Sequence, residues 1–97
     1  MSVTKRFRVD GWADFTLEFR RGADGTYSIW CLDHPTNAHG GGVSDHHLYS
    51  DRHVCIAEGR EPRTLDRAIA IAHVFMKSFA HWCQTGKHGR TGGRVNV

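Results

Sequence analysis

Long apolar runs are absent from this 97-residue chain. No segment approaches the roughly 20 residues that a membrane-spanning helix needs. The opening residues, Met1-Ser2-Val3-Thr4-Lys5-Arg6, also lack the apolar core of a signal peptide. Cysteine is scarce: three residues, at positions 31, 55 and 83, with no Cys-x-x-Cys pair. A secreted disulfide scaffold uses a denser, even set. These absences make the cytoplasm the expected compartment and exclude a membrane partner. Acidic residues are missing from positions 85–97, where Lys87, Arg90 and Arg94 carry the whole formal charge of +3. The body of the chain is balanced. A basic tail is not a basic groove, so no specific nucleic-acid partner is expected. No internal repeat is visible.

What is present suits one small core. The apolar fraction of 39%, with 10% aromatic residues, is that of a folded domain. Residues 1–86 are expected to form a single domain, and 87–97 a flexible basic tail. Lys5 to Val9 reads as a short strand, and Asp10-Gly11 as a turn. Phe15-Thr16-Leu17-Glu18-Phe19-Arg20 alternates, with the apolar members inward. Arg21 to Gly25 reads as a hairpin loop. Tyr27 to Leu32 returns, with Tyr27, Ile29 and Cys31 on one face and Trp30 and Leu32 on the other. His34-Pro35 ends the sheet, because proline cannot donate to a ladder. His34 is expected to close the sheet by hydrogen bonding.

From there to Asp51 the sequence predicts an irregular loop, loosest at Gly40-Gly41-Gly42, with Val54-Cys55-Ile56-Ala57 as a short extended piece. Loops of such length are often functional. Thr64 is a fitting N-cap, Asp66 complements the helix dipole, and Leu65, Ala68, Ile69, Ala72, Phe75, Met76, Phe79 and Trp82 form an apolar stripe. Gly86 is a fitting stop, with Lys87 and His88 beside the negative helix end. The fold class is therefore α+β: an antiparallel meander, a long loop carrying the chemistry, then a covering helix.

Two chemistries compete for that loop. His34, His39, His46, His47, His53 and Cys55 fall within 22 residues, ligand types that suit zinc. Their spacing matches no metal motif, having neither Cys-x-x-Cys nor His-Glu-x-x-His. No metal and no cofactor are expected, and a small zinc-binding domain is the third-ranked reading. The other chemistry is nucleophilic. Cys55 sits between Val54 and Ile56, downstream of imidazoles that favour a thiolate. Cys31 reads as core, Cys83 as structural, Trp12, Trp30 and Trp82 as packing anchors, and Tyr49 as a loop anchor. Gly92-Gly93 suggests a modifier awaiting trimming, but a β-grasp modifier needs strands after its helix, and only a polar tail follows.

The run from Asp45 through Lys87 resembles the ubiquitin-conjugating enzymes, and more specifically their bacterial relatives. In that family a meander precedes a His-Pro-Asn-type tripeptide whose last residue lies eight positions before the catalytic cysteine. Here Asp45-His46-His47 stands at the tripeptide, His47 is eight residues before Cys55, and Val54-Cys55-Ile56 gives the apolar frame. His46-His47-Leu48-Tyr49 is similar to the histidine-rich bacterial segment, and His81-Trp82-Cys83-Gln84-Thr85-Gly86-Lys87 to the end of its helix. The chain lacks the family's amino-terminal helix, its helices after the covering helix, and the tripeptide's Pro and Asn.

The resemblance implies a minimal fold of that family and a transferase that carries a ubiquitin-like protein as a thioester on Cys55. His47, where the family has Asn, would donate to the oxyanion. His53 would tune the thiol, and Asp51 would orient or deprotonate an incoming amine. The implied partners are a ubiquitin-like protein, a ubiquitin-activating-type enzyme and a metalloprotease-type deconjugase. The second-ranked reading is a non-catalytic module of the same fold that binds a ubiquitin-like protein or a partner enzyme.

Overall fold

The computed structural model describes residues 2–87. Three strands, β1 (Ser2–Val9), β2 (Ala13–Arg21) and β3 (Tyr27–Asp33), form an antiparallel sheet in the order β1-β2-β3. The β1–β2 connection is a tight turn of three residues, Asp10 to Trp12. Asp10 and Gly11 both take positive φ, 54° and 74°, and Trp12 N–H donates to Val9 C=O at 3.2 Å. Two positive-φ residues match the right-handed twist of the strands they join, which explains the Asp-Gly pair. In the next hairpin, Asp24 caps its own turn by accepting from Thr26 N–H at 3.0 Å.

The alternation read in the sequence decides which face is buried. Phe15, Leu17 and Phe19 of β2 and Ile29 and Cys31 of β3 are at most 1% exposed. Their neighbours Asp14, Arg20, Ser28 and Leu32 are exposed. Lying across the inner face is α2 (Leu65–Thr85), preceded by the four-residue helix α1 (Val43–His46) in the long loop. Thr64 caps α2 by accepting from Arg67 N–H at 3.1 Å, and Gly86 ends it by donating to Trp82 C=O at 2.8 Å. Ala68, Ala72, Phe75, Met76 and Phe79 recur at three- and four-residue intervals and are all buried. The small residues Ala68 and Ala72 let the helix approach the sheet, while Phe75 and Phe79 fill the remaining space. Phe15 meets both rings edge-on, at centroid distances of 6.2 and 6.0 Å.

The sheet, the covering helix and their order follow the sequence reading. Strands run a few residues longer than the alternation indicated, and α1 is an addition. Sequence pattern gave no sign of α1, because four residues carry no periodicity. Asp45 accepts from Gly42 N–H at 2.9 Å, and His47, at φ 65°, ends the turn by donating to Val43 C=O at 2.8 Å. His88, Arg90, Gly92, Gly93, Arg94 and the rest of the expected tail beyond Lys87 lie outside the described residues. Among the described residues no helix is long and apolar enough to cross a membrane.

Candidate functional site

An edge strand leaves a row of backbone groups without partners, and β3 fills its row from the loop. Cys31 N–H donates to Arg52 C=O and Val54 N–H to Ile29 C=O, each at 2.8 Å. The Arg52 side chain adds a bond from Nη1 to Leu32 C=O at 2.7 Å. Residues 52–54 are thus fastened along the sheet, with Val54 pointing into the core at 3% exposure.

Residues 47–55 also pair with themselves. Cys55 N–H donates to His47 C=O at 2.8 Å, and Tyr49 N–H to His53 C=O at 3.0 Å. Leu48 and Val54 face each other between these bonds, and both are buried. The eight-residue step from His47 to Cys55 is therefore the closure of a small hairpin, turned at Arg52 with φ 82°. Alternation across such a pair sends Leu48 and Val54 one way and Tyr49, His53 and Cys55 the other. His53 and Cys55 consequently share the outward face.

On that face Tyr49 is the residue in contact with the thiol. Its hydroxyl donates to Cys55 Sγ at 3.7 Å, and its ring stacks on His53 with centroids 4.1 Å apart and planes 16° from parallel. His53 Nδ1 bonds the Asp51 carboxylate, which also accepts from His53 N–H at 3.1 Å. On its other side His53 meets Trp30 at 5.5 Å, and Arg20 lies over the Trp30 ring at 4.2 Å. Bonds from His53, the backbone N–H first, hold the Asp51 carboxyl below its usual range. The Tyr49 phenol is raised, chiefly by its bond to Cys55. Two shallow hollows of about 340 and 370 Å³ flank Tyr49, one bounded by His53, Ile56 and Glu61, the other by Gly41, Gly42 and His46. A larger hollow of about 480 Å³ lies over Arg6, Arg8, Asp14 and Asp33, away from every residue of this loop.

The other thiols differ. Cys31 is fully buried, and burial pushes its thiol up to about 12, so it stays protonated. Cys83 is also raised by burial. Cys55 is half-buried at the mouth of the hairpin.

The four residues singled out from sequence fall into two relations. Asp51 and His53 are brought together, and the path from them to the Cys55 sulfur runs through Tyr49. The hydrogen bond that joins His47 to Cys55 is a main-chain one. Tyr49, which the sequence reads as a loop anchor, is the residue whose contact with the thiol was not expected from the sequence. Its signal was present in the numbering: 49, 53 and 55 differ by even steps, as residues on one face of paired strands must.

His34, His39 and His46 lie against the scaffold. His34 donates from Nδ1 to its neighbour Pro35 C=O at 2.8 Å and packs on Phe79 at 4.8 Å, so its bond is local and does not close the sheet. His39 lies against Gly86, where an added Cβ would meet its Nδ1 at 2.8 Å. Among the described residues no three His, Cys, Asp or Glu side chains converge to hold a metal ion.

His46 is buried between Phe79 and Trp82, and its Nδ1 accepts from Leu48 N–H at 3.2 Å. Burial holds this imidazole below the ordinary histidine value of 6.5, against the opposing influence of Gly41 C=O and Asp45 and with the help of His34. A histidine with a depressed folded value contributes stability that is complete above 6.5 and lost as pH falls through the lower value. Protonation removes the acceptor and buries a charge. His46→Asn, which keeps an acceptor near the Nδ1 position, is expected to flatten this acid limb. Thermal midpoints of the two proteins should run parallel above pH 6.5 and diverge below it. Parallel curves throughout would mean that His46 does not titrate with folding.

No protein-family model, no curated protein and no solved structure matches the chain.

Proposed function

We propose that the protein is a ubiquitin-conjugating-enzyme-like transferase that accepts a ubiquitin-like protein as a thioester on Cys55 and passes it to an amine or another thiol. The observation that carries this reading is the closed hairpin from His47 to Cys55, fastened to a meander edge, with the thiol half-buried on its outward face. In the first step the Cys55 thiolate attacks the thioester carbonyl on an activating enzyme. A carbon–sulfur bond forms, and the activating enzyme's sulfur leaves as thiolate. In the second step an acceptor amine attacks the same carbonyl and Cys55 leaves as thiolate.

Both steps pass through an oxyanion. An imidazole N–H from His47, at the hairpin's start, is the donor assigned to it. The amine's surplus proton goes to His53, whose orientation Asp51 fixes by accepting from Nδ1. Asp51 is engaged and weakly basic, so its role is to orient His53 and not to take the proton directly. No cofactor enters, because the energy is stored in the activated partner. A deconjugating metalloprotease would complete the cycle.

The test is incubation with an activating enzyme, ATP and a ubiquitin-like protein. A DTT-sensitive adduct is expected, and Cys55→Ser should lose it entirely. Binding of the modifier without any adduct, when the activating enzyme is verified as charged, would replace the transferase by a non-catalytic binding module.

A further inference from the structure

We propose that Tyr49 is a catalytic residue, its phenol holding the Cys55 sulfur by a hydrogen bond and its ring fixed by His53 against Trp30. The inference deepens the reading of Cys55 as a nucleophile and rests on it. Three observations carry it. The phenol is the group that touches Cys55 Sγ, at 3.7 Å. Tyr49 is 38% exposed, so burial does not account for its placement. An exposed tyrosine on a turn has several rotamers open to it, yet this one is held by stacking. The stack runs Arg20, Trp30, His53, Tyr49 from the outer face of the sheet to the thiol, with spacings of 4.2, 5.5 and 4.1 Å.

Trp30 belongs to β3, and its Nε1 donates to Ser28 Oγ at 2.9 Å, so the stack starts from a fixed point. His53 is fastened through its backbone by the Tyr49 and Asp51 bonds, and through its ring by Asp51. Each member limits the next, and the last freedom removed is that of the phenol over the sulfur.

The chemistry follows from the direction of the bond. A phenol O–H donates, and sulfur accepts better as thiolate than as thiol, so the contact favours the attacking form. The same O–H favours the departing thiolate in the second transfer. No atom is transferred by Tyr49. It stays protonated, as its raised phenol permits. The other ionisable groups around this face are Arg20 and His53 of the stack, Asp51 bonded to His53, Glu61 across the adjoining hollow, and His47 at the hairpin's start. His53 and Asp51 are positioning residues here, acting through the ring.

Alkylation of Cys55 by iodoacetamide at fixed pH tests this, followed by mass spectrometry of the Cys55 peptide to separate it from Cys31 and Cys83. Tyr49→Phe keeps the ring and its stack and removes only the O–H. It is expected to slow alkylation about threefold, the effect of losing one weak hydrogen bond at the low end of the usual net range, with an unchanged melting midpoint. His53→Ala should slow it in the same direction by freeing the ring. His53→Phe should alkylate faster than His53→Ala, because the ring that stacks is what positions Tyr49. An unchanged or faster rate in Tyr49→Phe would overturn the assignment. Slowing in His53→Phe equal to that in His53→Ala would overturn the positioning by stacking. The assay uses neither modifier nor activating enzyme. A slowed Tyr49→Phe beside a failed conjugation assay removes the transferase reading alone, and the converse pair removes only Tyr49.

Discussion

Phe79→Ala is expected to cost about 3–5 kcal/mol of folding stability, the range for a large aromatic removed from a packed interior. Phe79 is 1% exposed and touches every part of the fold that holds the loop. Phe15 of β2 meets it at 6.0 Å, Phe75 one helical turn away at 5.6 Å, and the loop residues His34 and His46 at 4.8 and 5.4 Å. Removing the ring therefore opens a cavity at a place where sheet, helix and loop converge. Domains of this size are stable by roughly 5–15 kcal/mol, so the loss is a large share of the whole. Urea unfolding should show a lower midpoint at an unchanged slope. Phe79→Leu, which keeps most of the volume, should cost under about 1.5 kcal/mol. A loss below about 1 kcal/mol for the alanine variant would show that the surrounding side chains collapse into the space.

The same convergence explains what could be read from sequence and what could not. Strands and helix were legible because their signals are local: Phe15, Leu17 and Phe19 alternate within six residues, and Thr64 and Gly86 mark the helix ends by their own chemistry. The loop was legible only as a loop. Its order comes from partners far away in the chain. Val54 N–H finds Ile29 C=O, and Trp82 Nε1 finds Gly40 C=O at 3.0 Å, across 42 residues. No window of neighbouring residues contains such a pair.

The site divides in the same way. Cys55 and His47 stood out by their spacing, which the hairpin explains as main-chain closure. Asp51 and His53 are linked as near neighbours two residues apart. Tyr49 reads from sequence as a loop anchor, and it does stack on His53; only the pairing of the hairpin puts its hydroxyl beside the thiol. His46 looked like a member of a reactive cluster. Its burial against Phe79 and Trp82 makes it part of the scaffold, since a histidine on an apolar face serves there as a neutral, hydrogen-bonded core residue.

Gly41→Ala is expected to be the second most damaging of these changes, at about 2–5 kcal/mol, although the triple glycine looked like the loosest point of the chain. Gly41 has φ 90°, a conformation that costs a residue with a Cβ about 1–2 kcal/mol. A Cβ there would also meet Trp82 Cζ2 at 2.8 Å and Asp45 Oδ2 at 3.0 Å. Both are held in place, Trp82 by its bond to Gly40 C=O and Asp45 by Gly42 N–H. Overpacking such a contact adds about 1–3 kcal/mol. The neighbouring residue supplies the control. Gly40 has φ 67° and nothing within 4 Å of an added Cβ, so Gly40→Ala bears the backbone cost alone, about 1–2 kcal/mol. The difference between the two variants in urea unfolding therefore measures the contact with the helix. Tryptophan emission should shift to longer wavelength in Gly41→Ala as Trp82 is pushed toward water, and stay unchanged in Gly40→Ala. Equal losses would mean that the glycine segment rests on its own turns and that the helix end does not hold it. A larger loss at Gly41 makes the three glycines the hinge by which the covering helix fixes the start of α1, and through it the hairpin that carries Cys55.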